Sequence, residues 1–441
     1  MKYDSIIDVI GDTPLVRISS EVTGLRNIDL YAKLEMLNPF GSVKDRAAWS
    51  MAREGIDAAR DDGHTMIELS SGNTAKALAV IAGMHGVDFR SVTNRMKVPE
   101  IKDLLLLIGA DIEELPGQAE CLDPTDTDDP LARIHREISG PGSGYFHTDQ
   151  YFNGRNVDAH VHGTGPEILR DLDGAPEHFV ACVGTAGSST GVAQALRAVD
   201  ASVQVLGLVA HKSDFIPGIR NIDEVHEVGL FDPDTYDTIE SVSADEAIDG
   251  MLTLVRRCGM LAGPTGGAAY FGAVRHLAKA DAQLEGTGRR ETAVFIVCDR
   301  VESYMSYVRV RRPELLKQPP REGSVATLSD AEIAAVPALT VDEATRWIES
   351  ESPLIVDLRS SFAYRALHIA GSINIVDELF GELLRGGLPF GTARHVLLVC
   401  PVGEKSARYA AALARMGHTN TRSLTGGVIA WRDAGAPLVR D

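Results

Sequence analysis

The sequence predicts an α/β protein with a large region built on parallel sheets and a smaller α/β domain behind it. Between about residues 30 and 310, short apolar runs alternate with helical patterns, which is typical of parallel sheets covered by helices on both faces. Near residue 310 the chain becomes basic and then rich in proline and glycine, which favours a linker. A second α/β alternation begins near Leu339. We therefore expect domains at residues 1–312 and 337–441, joined by a linker at 313–336.

The apolar runs of the larger region define its predicted strands. We expect strands at residues 30–34, 65–69, 179–183, 203–208 and 293–297, and helices such as 75–84 and 191–199. On parallel sheets, ligands bind at the loops beyond the carboxyl ends of the strands. The polar loops that follow these runs are therefore where we expect function.

Composition excludes several classes of protein. The 441 residues carry a formal charge of −19, which argues against nucleic acid or an anionic membrane as a partner. The five cysteines form no CxxC pair, so we expect a reducing compartment, with neither structural disulfides nor a metal cluster. The N-terminus has no signal-peptide pattern, and no apolar run reaches the roughly 18 residues that span a bilayer. We expect a cytoplasmic protein without a metal site.

Lys44 is the first candidate catalytic residue. It ends the run Asn38–Lys44, in which a Pro-Phe-Gly-Ser turn leads into an alanine-rich helical pattern. A cationic amine is poorly placed at the start of a helix, because the helix dipole is positive there. Such a site favours a neutral amine, which nucleophilic or Schiff-base chemistry needs. A surface lysine on a first helical turn is the alternative interpretation.

Two loops that follow apolar strands carry anion-binding chemistry. Residues 70–74 open a helix, where backbone NH groups and hydroxyls suit a carboxylate, although an ordinary turn is the alternative. Residues 184–191 contain three glycines and four hydroxyls, so their NH groups can converge on a phosphate dianion. A Rossmann dinucleotide loop is disfavoured, because it expects G-x-G-x-x-G in the first βα turn.

A third glycine-rich loop, residues 263–268, has a single hydroxyl in Thr265. This hydroxyl could meet a ring nitrogen, and a plain glycine turn is the alternative. A lysine, a phosphate loop, a carboxylate loop and a lone hydroxyl together suggest pyridoxal phosphate.

Residues 1 to about 310 resemble the cysteine synthase and cystathionine β-synthase family of fold-type II pyridoxal phosphate enzymes. The matching segments are residues 11–15, 38–44, 70–74, 163–168, 184–191 and 263–268. The resemblance implies pyridoxal 5′-phosphate as cofactor, an amino-acid substrate, and a homodimer. It also implies two α/β subdomains with parallel or mixed sheets, the smaller one at about residues 45–150.

The resemblance also assigns roles to individual residues. Lys44 would form the Schiff base, Asn73 would hydrogen-bond the 3′-oxygen of the pyridine ring, and Thr265 would face the ring nitrogen. The residues implied for the cofactor phosphate are Gly184, Thr185, Gly187, Ser188 and Thr190. The residues implied for the substrate α-carboxylate are Ser70, Ser71, Thr74 and Gln150. The sequence departs from the family at Ala75, where glycine is usual, and in the charge pattern of residues 298–304.

These parts imply β-replacement, in which an activated L-serine exchanges its β-substituent for a sulfur nucleophile. A neutral hydroxyl at the ring nitrogen favours loss of a β-substituent over racemisation or transamination. Residues 217–221 resemble the segment that presents an arginine to phosphate in enzymes that use O-phosphoserine. The planar donor fork of Arg220 suits that task, which favours O-phospho-L-serine over O-acetyl-L-serine. A surface arginine in a loop is the alternative.

Cys400 is the second candidate catalytic residue. It ends an apolar run and is followed by a tight loop and a helical pattern from residue 407 to 416. Loop NH groups and a helix start directed at the sulfur would favour a thiolate or persulfide. Residues 337–441 resemble a single rhodanese domain through residues 356–359, 368–372, 400–406 and 426–431. The resemblance implies an active sulfurtransferase, although Leu367, Ala370 and Glu404 depart from the usual pattern.

Three hypotheses fit such a fusion. In the first, an activated serine becomes cysteine or a cysteine-like product, with sulfur supplied through a Cys400 persulfide. In the second, a cysteine β-lyase releases sulfur that Cys400 passes to an acceptor. In the third, the rhodanese domain does no chemistry and docks a sulfur-carrier protein.

Overall fold

A computed structural model describes residues 2–93, 96–115, 130–140, 142–212, 214–225, 228–316 and 328–440. The chain forms two compact units, Met1–Leu315 and Leu316–Asp441. Of the predicted linker, residues 317–327 lie outside the described residues. No helix within the described ranges is both long and apolar enough to cross a membrane.

The larger unit contains two sheets. Its strands are β1 (Leu15–Arg17), β2 (Ile28–Lys33), β3 (Thr65–Leu69), β4 (Phe89–Thr93), β5 (Asp111–Glu114), β6 (Tyr145–His147), β7 (His178–Cys182), β8 (Gln204–Ala210), β9 (Thr238–Val242) and β10 (Glu291–Ile296). Six of them form a sheet in the order β1-β2-β10-β7-β8-β9, in which only β1 is antiparallel to its neighbour. The other four form a parallel sheet in the order β5-β4-β3-β6.

Helices accompany both sheets of this unit. They are α1 (Ser20–Thr23), α2 (Lys44–Ala52), α3 (Ile56–Asp61), α4 (Asn73–His85), α5 (Pro99–Leu107), α6 (Pro130–Ile138), α7 (Arg155–Ala159), α8 (Gly165–Asp171), α9 (Gly187–Arg197), α10 (Ala244–Cys258), α11 (Pro264–Leu284) and α12 (Met305–Arg311). Their ends follow local chemistry. For example, Ser243 and Glu246 form a reciprocal capping box at the start of α10, and Gly259 ends this helix with a positive φ of 70°.

The central strands of the six-stranded sheet are buried on both faces. Phe179, Val294 and Phe295 have no exposed surface, and β7 pairs with β10 in the register Phe179 to Val294. Continuous apolar runs are typical of parallel strands that helices cover on both sides. The predicted α/β class with parallel sheets is confirmed.

The smaller unit contains one main sheet. Its strands are β11 (Ala338–Leu339), β12 (Leu354–Asp357), β13 (His368–Ile369), β14 (Ser372–Asn374), β15 (Val396–Val399), β16 (Thr421–Leu424) and β17 (Leu438–Val439). Five of them form a parallel sheet in the order β11-β16-β15-β12-β14, and β13 pairs with β17 in an antiparallel ribbon. Its helices are α13 (Asp330–Ala334), α14 (Val341–Glu351), α15 (Ser361–Ala366), α16 (Asp377–Gly386), α17 (Glu404–Arg415) and α18 (Gly427–Asp433). Strand β15 is fully buried at the sheet centre.

Two elements differ in their bounds from the predicted ones. Helix α9 begins at Gly187 instead of residue 191, because the glycine loop itself forms the first helical turn. Helix α13 lies in the segment that we predict as linker. A capping box of Ser329 and Glu332 starts α13, and Arg415 of α17 forms an ion pair with Glu332, which holds α13 against the smaller unit.

Candidate active site

The larger unit contains a cavity of about 250 Å³ where loops that follow strands of both sheets meet. The predicted site residues that line it are Lys44, Ser70, Ser71, Asn73, Thr74, Gln150, Gly184, Thr185, Ser188, Arg220 and Thr265. Gly187 and Thr190 lie in the first turn of α9, next to these residues, and both are buried. Residues that are far apart in the sequence therefore converge on one cavity.

Lys44 is the first residue of α2, as the sequence predicts. Its side chain lies in the cavity wall. Burial lowers the pKa of the Lys44 amine, while the nearby Cys298 and Asp299 favour its charged form. A lysine with a lowered pKa has more of the neutral, nucleophilic amine at neutral pH. The position and environment of Lys44 thus suit covalent chemistry with a carbonyl group.

A buried ion network holds the start of α2. Arg46 donates from Nε to Glu35 at 2.7 Å and from Nη1 to Glu167 at 2.6 Å. Lys33, whose side chain is fully buried, pairs with Glu167 at 2.8 Å. Nζ of Lys33 also lies 3.6 Å from Oδ2 of Asp171, so two cations face three carboxylates. The arginine lowers the pKa of Glu167 to about 2, against the opposing effect of burial.

The same network ties several of the sequence motifs together. Thr13 donates its hydroxyl to Glu35 at 2.6 Å, and the Asn38 amide also donates to Glu35, at 3.0 Å. The backbone NH of Asp12 donates to Glu167 at 3.0 Å. The motifs around residues 11–15, 38–44 and 163–168 therefore meet on one set of charges. Sequence reasoning missed these contacts, since Arg46 and Glu167 are 121 positions apart.

Asn73 belongs to a hydrogen-bonded group that also escaped the sequence analysis. Its Nδ2 donates to Asp299 at 2.7 Å and to the hydroxyl of Tyr304 at 2.9 Å. The Tyr304 hydroxyl also donates to Asp299. The Oδ1 atoms of Asn73 and Asp299 are buried without a hydrogen-bond partner, and burial raises the pKa of Asp299. Buried polar atoms without partners are rare, so this wall is suited to a polar ligand.

The predicted carboxylate loop is rigid. The hydroxyl of Thr74 donates to Oε1 of Gln150 at 2.7 Å, and Nε2 of Gln150 donates to the carbonyl of Leu69 at 2.6 Å. Ser70 accepts from the NH of Ala75 at 3.1 Å, across the first turn of α4. These bonds fix the loop at a helix start, where NH groups and hydroxyls favour an anion.

The predicted phosphate loop leaves no room for side chains at two of its glycines. A Cβ at Gly184 would lie 2.6 Å from the carbonyl oxygen of Gly218, and a Cβ at Gly187 would lie 2.0 Å from Oδ1 of Asn156. Ala186, between them, has a positive φ of 63°. The backbone thus curls tightly into the start of α9, an 11-residue helix, which is the geometry that binds phosphate. This loop fits the phosphate of the predicted cofactor.

Thr265 lines the cavity from the start of α11. Its hydroxyl donates to the carbonyl of Pro217 at 2.5 Å. The hydroxyl proton of Thr265 is therefore used in the bond to Pro217. The oxygen keeps its lone pairs and is a neutral group at the position that we predict to face a ring nitrogen.

Two cations line another part of the cavity. Arg220 donates to the hydroxyl of Tyr151 at 3.1 Å and stacks over its ring, with Cζ 5.3 Å from the ring centroid. Lys97, which the sequence analysis did not select, places Nζ 3.9 Å from the ring centroid of Phe215. Glu224 lines the same cavity. Aromatic contacts thus hold a guanidinium and an ammonium at the cavity wall.

Cys400 lies in the smaller unit, directly after β15. Its Sγ accepts a hydrogen bond from the NH of Gly403 at 3.1 Å and from that of Ser406 at 3.4 Å. The cysteine is 1% exposed. Lys405 pairs with Asp377, and the hydrogen bonds from NH groups to the sulfur come from the backbone of the loop. Gly427 approaches this loop so closely that a Cβ there would lie 2.1 Å from the carbonyl oxygen of Cys400.

Comparison with known families decides the identity of both units. Residues 6–299 match the family model of pyridoxal-phosphate dependent enzymes. The chain belongs to this family. Residues 340–434 match the model of rhodanese-like domains, so this pyridoxal phosphate enzyme carries a rhodanese-like domain at its C-terminal end. The predicted fusion and the predicted cofactor, pyridoxal phosphate, are confirmed.

Several relatives of this pyridoxal phosphate enzyme are cysteine synthases. It is 34% identical to cysteine synthase B of Pseudomonas aeruginosa, over 69% of this chain and 97% of that protein. It is also 34% identical to N-(2-amino-2-carboxyethyl)-L-glutamate synthase of Ralstonia nicotianae, over 69% of this chain and 89% of that protein.

Solved structures agree with the sequence relatives. The crystal structure of an O-acetylserine dependent cystathionine β-synthase from Helicobacter pylori superposes with a TM-score of 0.59 at 26% identity, over 69% of this chain and 98% of that one. A hydrogen sulfide-producing enzyme from Fusobacterium nucleatum superposes with a TM-score of 0.60 at 26% identity, over 69% of this chain and 99% of that one. The larger unit is therefore a cysteine synthase-type pyridoxal phosphate enzyme.

Proposed function

We propose that this enzyme replaces the β-substituent of an activated L-serine with a sulfur nucleophile, giving cysteine or a cysteine-like product. Cysteine synthases among its relatives support the reaction class. The observation that carries the proposal is the convergence of Lys44, the carboxylate loop and Arg220 on one cavity. That cavity offers a base, a carboxylate site and a cation for a leaving group.

Bound pyridoxal phosphate supplies an electron sink that acidifies the substrate Cα–H bond and allows the β-substituent to leave. Lys44 would hold the cofactor and then move the proton at Cα, since a lowered pKa favours the neutral amine that accepts a proton. Gly184, Thr185, Gly187, Ser188 and Thr190 would hold the phosphate. Asn73 and Thr265 would contact the ring, at its 3′-oxygen and its nitrogen.

The substrate α-amino acid would bind through its carboxylate. Ser70, Ser71, Thr74 and Gln150 surround the start of α4, where the NH groups and the positive end of the helix dipole attract an anion. The Thr74–Gln150 hydrogen bond orients both groups before substrate arrives. Orientation of the substrate in this loop would bring its Cα to Lys44.

The leaving group would be phosphate in preference to acetate. Arg220 and Lys97 both line the cavity, and an arginine fork forms strong bidentate hydrogen bonds with phosphate. The acetyl group is neutral and gains little from two cations. We therefore propose O-phospho-L-serine as the preferred substrate, with O-acetyl-L-serine as the weaker one.

The rhodanese-like domain would supply the sulfur. The NH groups of Gly403 and Ser406, which donate to Sγ of Cys400, would stabilise the negative charge of a thiolate or a persulfide. A sulfane-sulfur donor would transfer its outer sulfur to the Cys400 thiolate. Two equivalents of a thiol reductant, oxidised to a disulfide, would then reduce the persulfide, which returns the Cys400 thiol and releases sulfide as the nucleophile. The outer sulfur of the Cys400 persulfide would then end in the product, while Sγ stays in the protein.

Turnover of three substrates tests the proposal. The holoenzyme is supplied with sulfide and with O-phospho-L-serine or O-acetyl-L-serine, or with cysteine alone, and cysteine, phosphate, pyruvate and sulfide are measured. We expect cysteine from both serine esters and a higher kcat/KM for the phosphate ester. Pyruvate and sulfide from cysteine, without cysteine formation from either ester, would overturn it.

The second candidate is a cysteine β-lyase, which the similarity to a hydrogen sulfide-producing enzyme favours. In that case sulfur would flow from cysteine to Cys400 and on to an acceptor. Docking of a sulfur-carrier protein by an inert rhodanese-like domain is a further alternative. Mass spectrometry of Cys400 after treatment with a sulfane donor tests it, because an inert domain would gain no added sulfur atom. The homodimer and the cytoplasmic location stay predictions.

A further inference from the structure

A cluster of three metal-binding side chains lies beside the catalytic cavity. His135 is in the last turn of α6, His147 is the last residue of β6, and Asp149 is in the turn after it. One ligand atom from each residue lies within 4.8 Å of the other two, and the two imidazole centroids are 6.0 Å apart. We call these three residues the His–His–Asp cluster. The sequence analysis, which considered only the cysteines, predicts no metal site.

The cluster contains polar atoms that lack a partner. The side chain of His147 is 6% exposed, and its Nε2 is buried without a hydrogen bond. Oδ1 of Asp149 is also buried without one. Most buried polar atoms in folded proteins are paired, so the unpaired atoms of His147 and Asp149 make this cluster suited to a bound ligand.

The charges around the cluster point to a cation. Glu68 is fully buried, and its Oε1 lies 3.7 Å from Nε2 of His147. Asp149 faces His147, Glu68 and His135. Among the described residues, neither carboxylate forms an ion pair with a lysine or an arginine. In the part of the chain that the structure describes, the two imidazoles are therefore the groups that can carry positive charge against these carboxylates, and a divalent ion would add to that charge.

The donor set identifies the class of ion. Two imidazole nitrogens and one carboxylate oxygen suit zinc and its divalent first-row neighbours, with a fourth position left for water. The ligand atoms lie within 4.8 Å of one another. They need to move closer together on binding, because each must come within roughly 2.0–2.2 Å of the zinc ion.

We propose that the His–His–Asp cluster binds a divalent late first-row metal ion with a structural role. The ion would join α6 to the end of β6. It would also fix Asp149, whose neighbour Gln150 lines the catalytic cavity and donates its backbone NH to Oε2 of Glu68 at 3.2 Å. The metal would therefore order the substrate carboxylate site without touching the substrate.

Metal binding to the chelator-treated holoenzyme tests the proposal. Equilibrium dialysis against Zn²⁺ is carried out in a Cys400→Ser background, which removes a thiol that could bind metal. His135→Ala and Asp149→Asn are compared with His162→Ala, a matched change at an exposed histidine on another element. His135 is exposed, so its replacement leaves the fold intact, and Asp149→Asn keeps the side-chain shape.

We expect one equivalent of Zn²⁺ in the background protein and in His162→Ala. Each cluster variant should bind Zn²⁺ about 10- to 100-fold more weakly or worse. Even the loss of a residue that only hydrogen-bonds a metal ligand lowers metal affinity by that factor. Zn²⁺ should raise the thermal midpoint of the background protein and of His162→Ala, but not that of His135→Ala. Equal Zn²⁺ affinity in all four proteins, or no binding, would overturn the proposal, and either result leaves the proposed serine chemistry standing.

Discussion

The cavity that holds Lys44 and the loop that holds Cys400 position their reactive groups in different ways. At Lys44, side chains from distant parts of the chain form a buried ion network beneath α2. At Cys400, backbone NH groups within six residues of the sulfur surround it. A network depends on long-range folding, whereas a loop depends on local conformation. The two sites should therefore respond differently to substitution.

The largest effect should come from Lys44→Ala, which removes the group that holds the cofactor. We expect kcat/KM to fall by at least about 10²- to 10⁴-fold, because a proton-transfer group is lost. The visible absorption that the cofactor acquires on bonding to the lysine should disappear. Spectra and turnover are compared with those of Lys102→Ala, a partly exposed lysine paired with Glu114. Unchanged absorption in Lys44→Ala would contradict the assignment.

Arg46→Ala tests whether the ion network supports the lysine cavity. Removing one partner of a buried ion network costs about 3–5 kcal/mol of unfolding free energy, because uncompensated charges stay buried. Urea unfolding of the apoenzyme measures it. Arg60→Ala breaks exposed ion pairs with Asp57 and Asp61 and should leave the unfolding midpoint unchanged. Equal urea unfolding midpoints for Arg46→Ala and Arg60→Ala would show that the buried ion network stabilises the fold no more than exposed ion pairs do.

Acid should weaken the same network. The folded-state pKa of Glu167 is about 2, below its ordinary value of 4.5, so its contribution to stability is present above about pH 4.5 and is lost as the pH falls towards 2. A shift of this size corresponds to about 3 kcal/mol. The unfolding free energy of the larger unit, measured between pH 6 and pH 3, should fall less in Glu167→Gln than in the wild type. Parallel pH profiles would contradict this.

The smallest effect should come from Arg220→Ala, which sharpens the choice of leaving group. Loss of a charged hydrogen bond costs about 1.5–3 kcal/mol, so kcat/KM for O-phospho-L-serine should fall about 10- to 100-fold. That for O-acetyl-L-serine should change little. Steady-state assays with both esters check this, and equal losses for both would show that Arg220 does not recognise phosphate.

The elements built from local chemistry could be predicted from the sequence. Strand β3 has the predicted bounds, Lys44 begins α2 as expected, and the loop after β7 curls into a helix start. Glycine spacing, turn residues and apolar runs act within a few positions of each other, so one sequence shows them. Family resemblance added the cofactor and the rhodanese-like domain.

Contacts between distant residues could not be predicted in the same way. Nothing near Asn73 shows that its amide donates to Asp299, 226 positions away. Lys97 and Tyr151 also join the cavity only through the fold. A buried charge leaves no local pattern, because its partner can come from any part of the chain. The sequence therefore predicts a role for Asn73 but none for Asp299, Lys97 or Tyr151, which only the fold brings to the cavity.

Transfer of labelled sulfur tests the central claim, that one chain both carries sulfur on Cys400 and builds it into an amino acid. The protein is loaded with sulfane ³⁴S at Cys400, freed of unbound sulfur, and mixed with O-phospho-L-serine and dithiothreitol. We expect up to one equivalent of labelled cysteine per chain and none from Cys400→Ser, which should still make cysteine from added sulfide. Label that never enters cysteine, while added sulfide does, would contradict the claim.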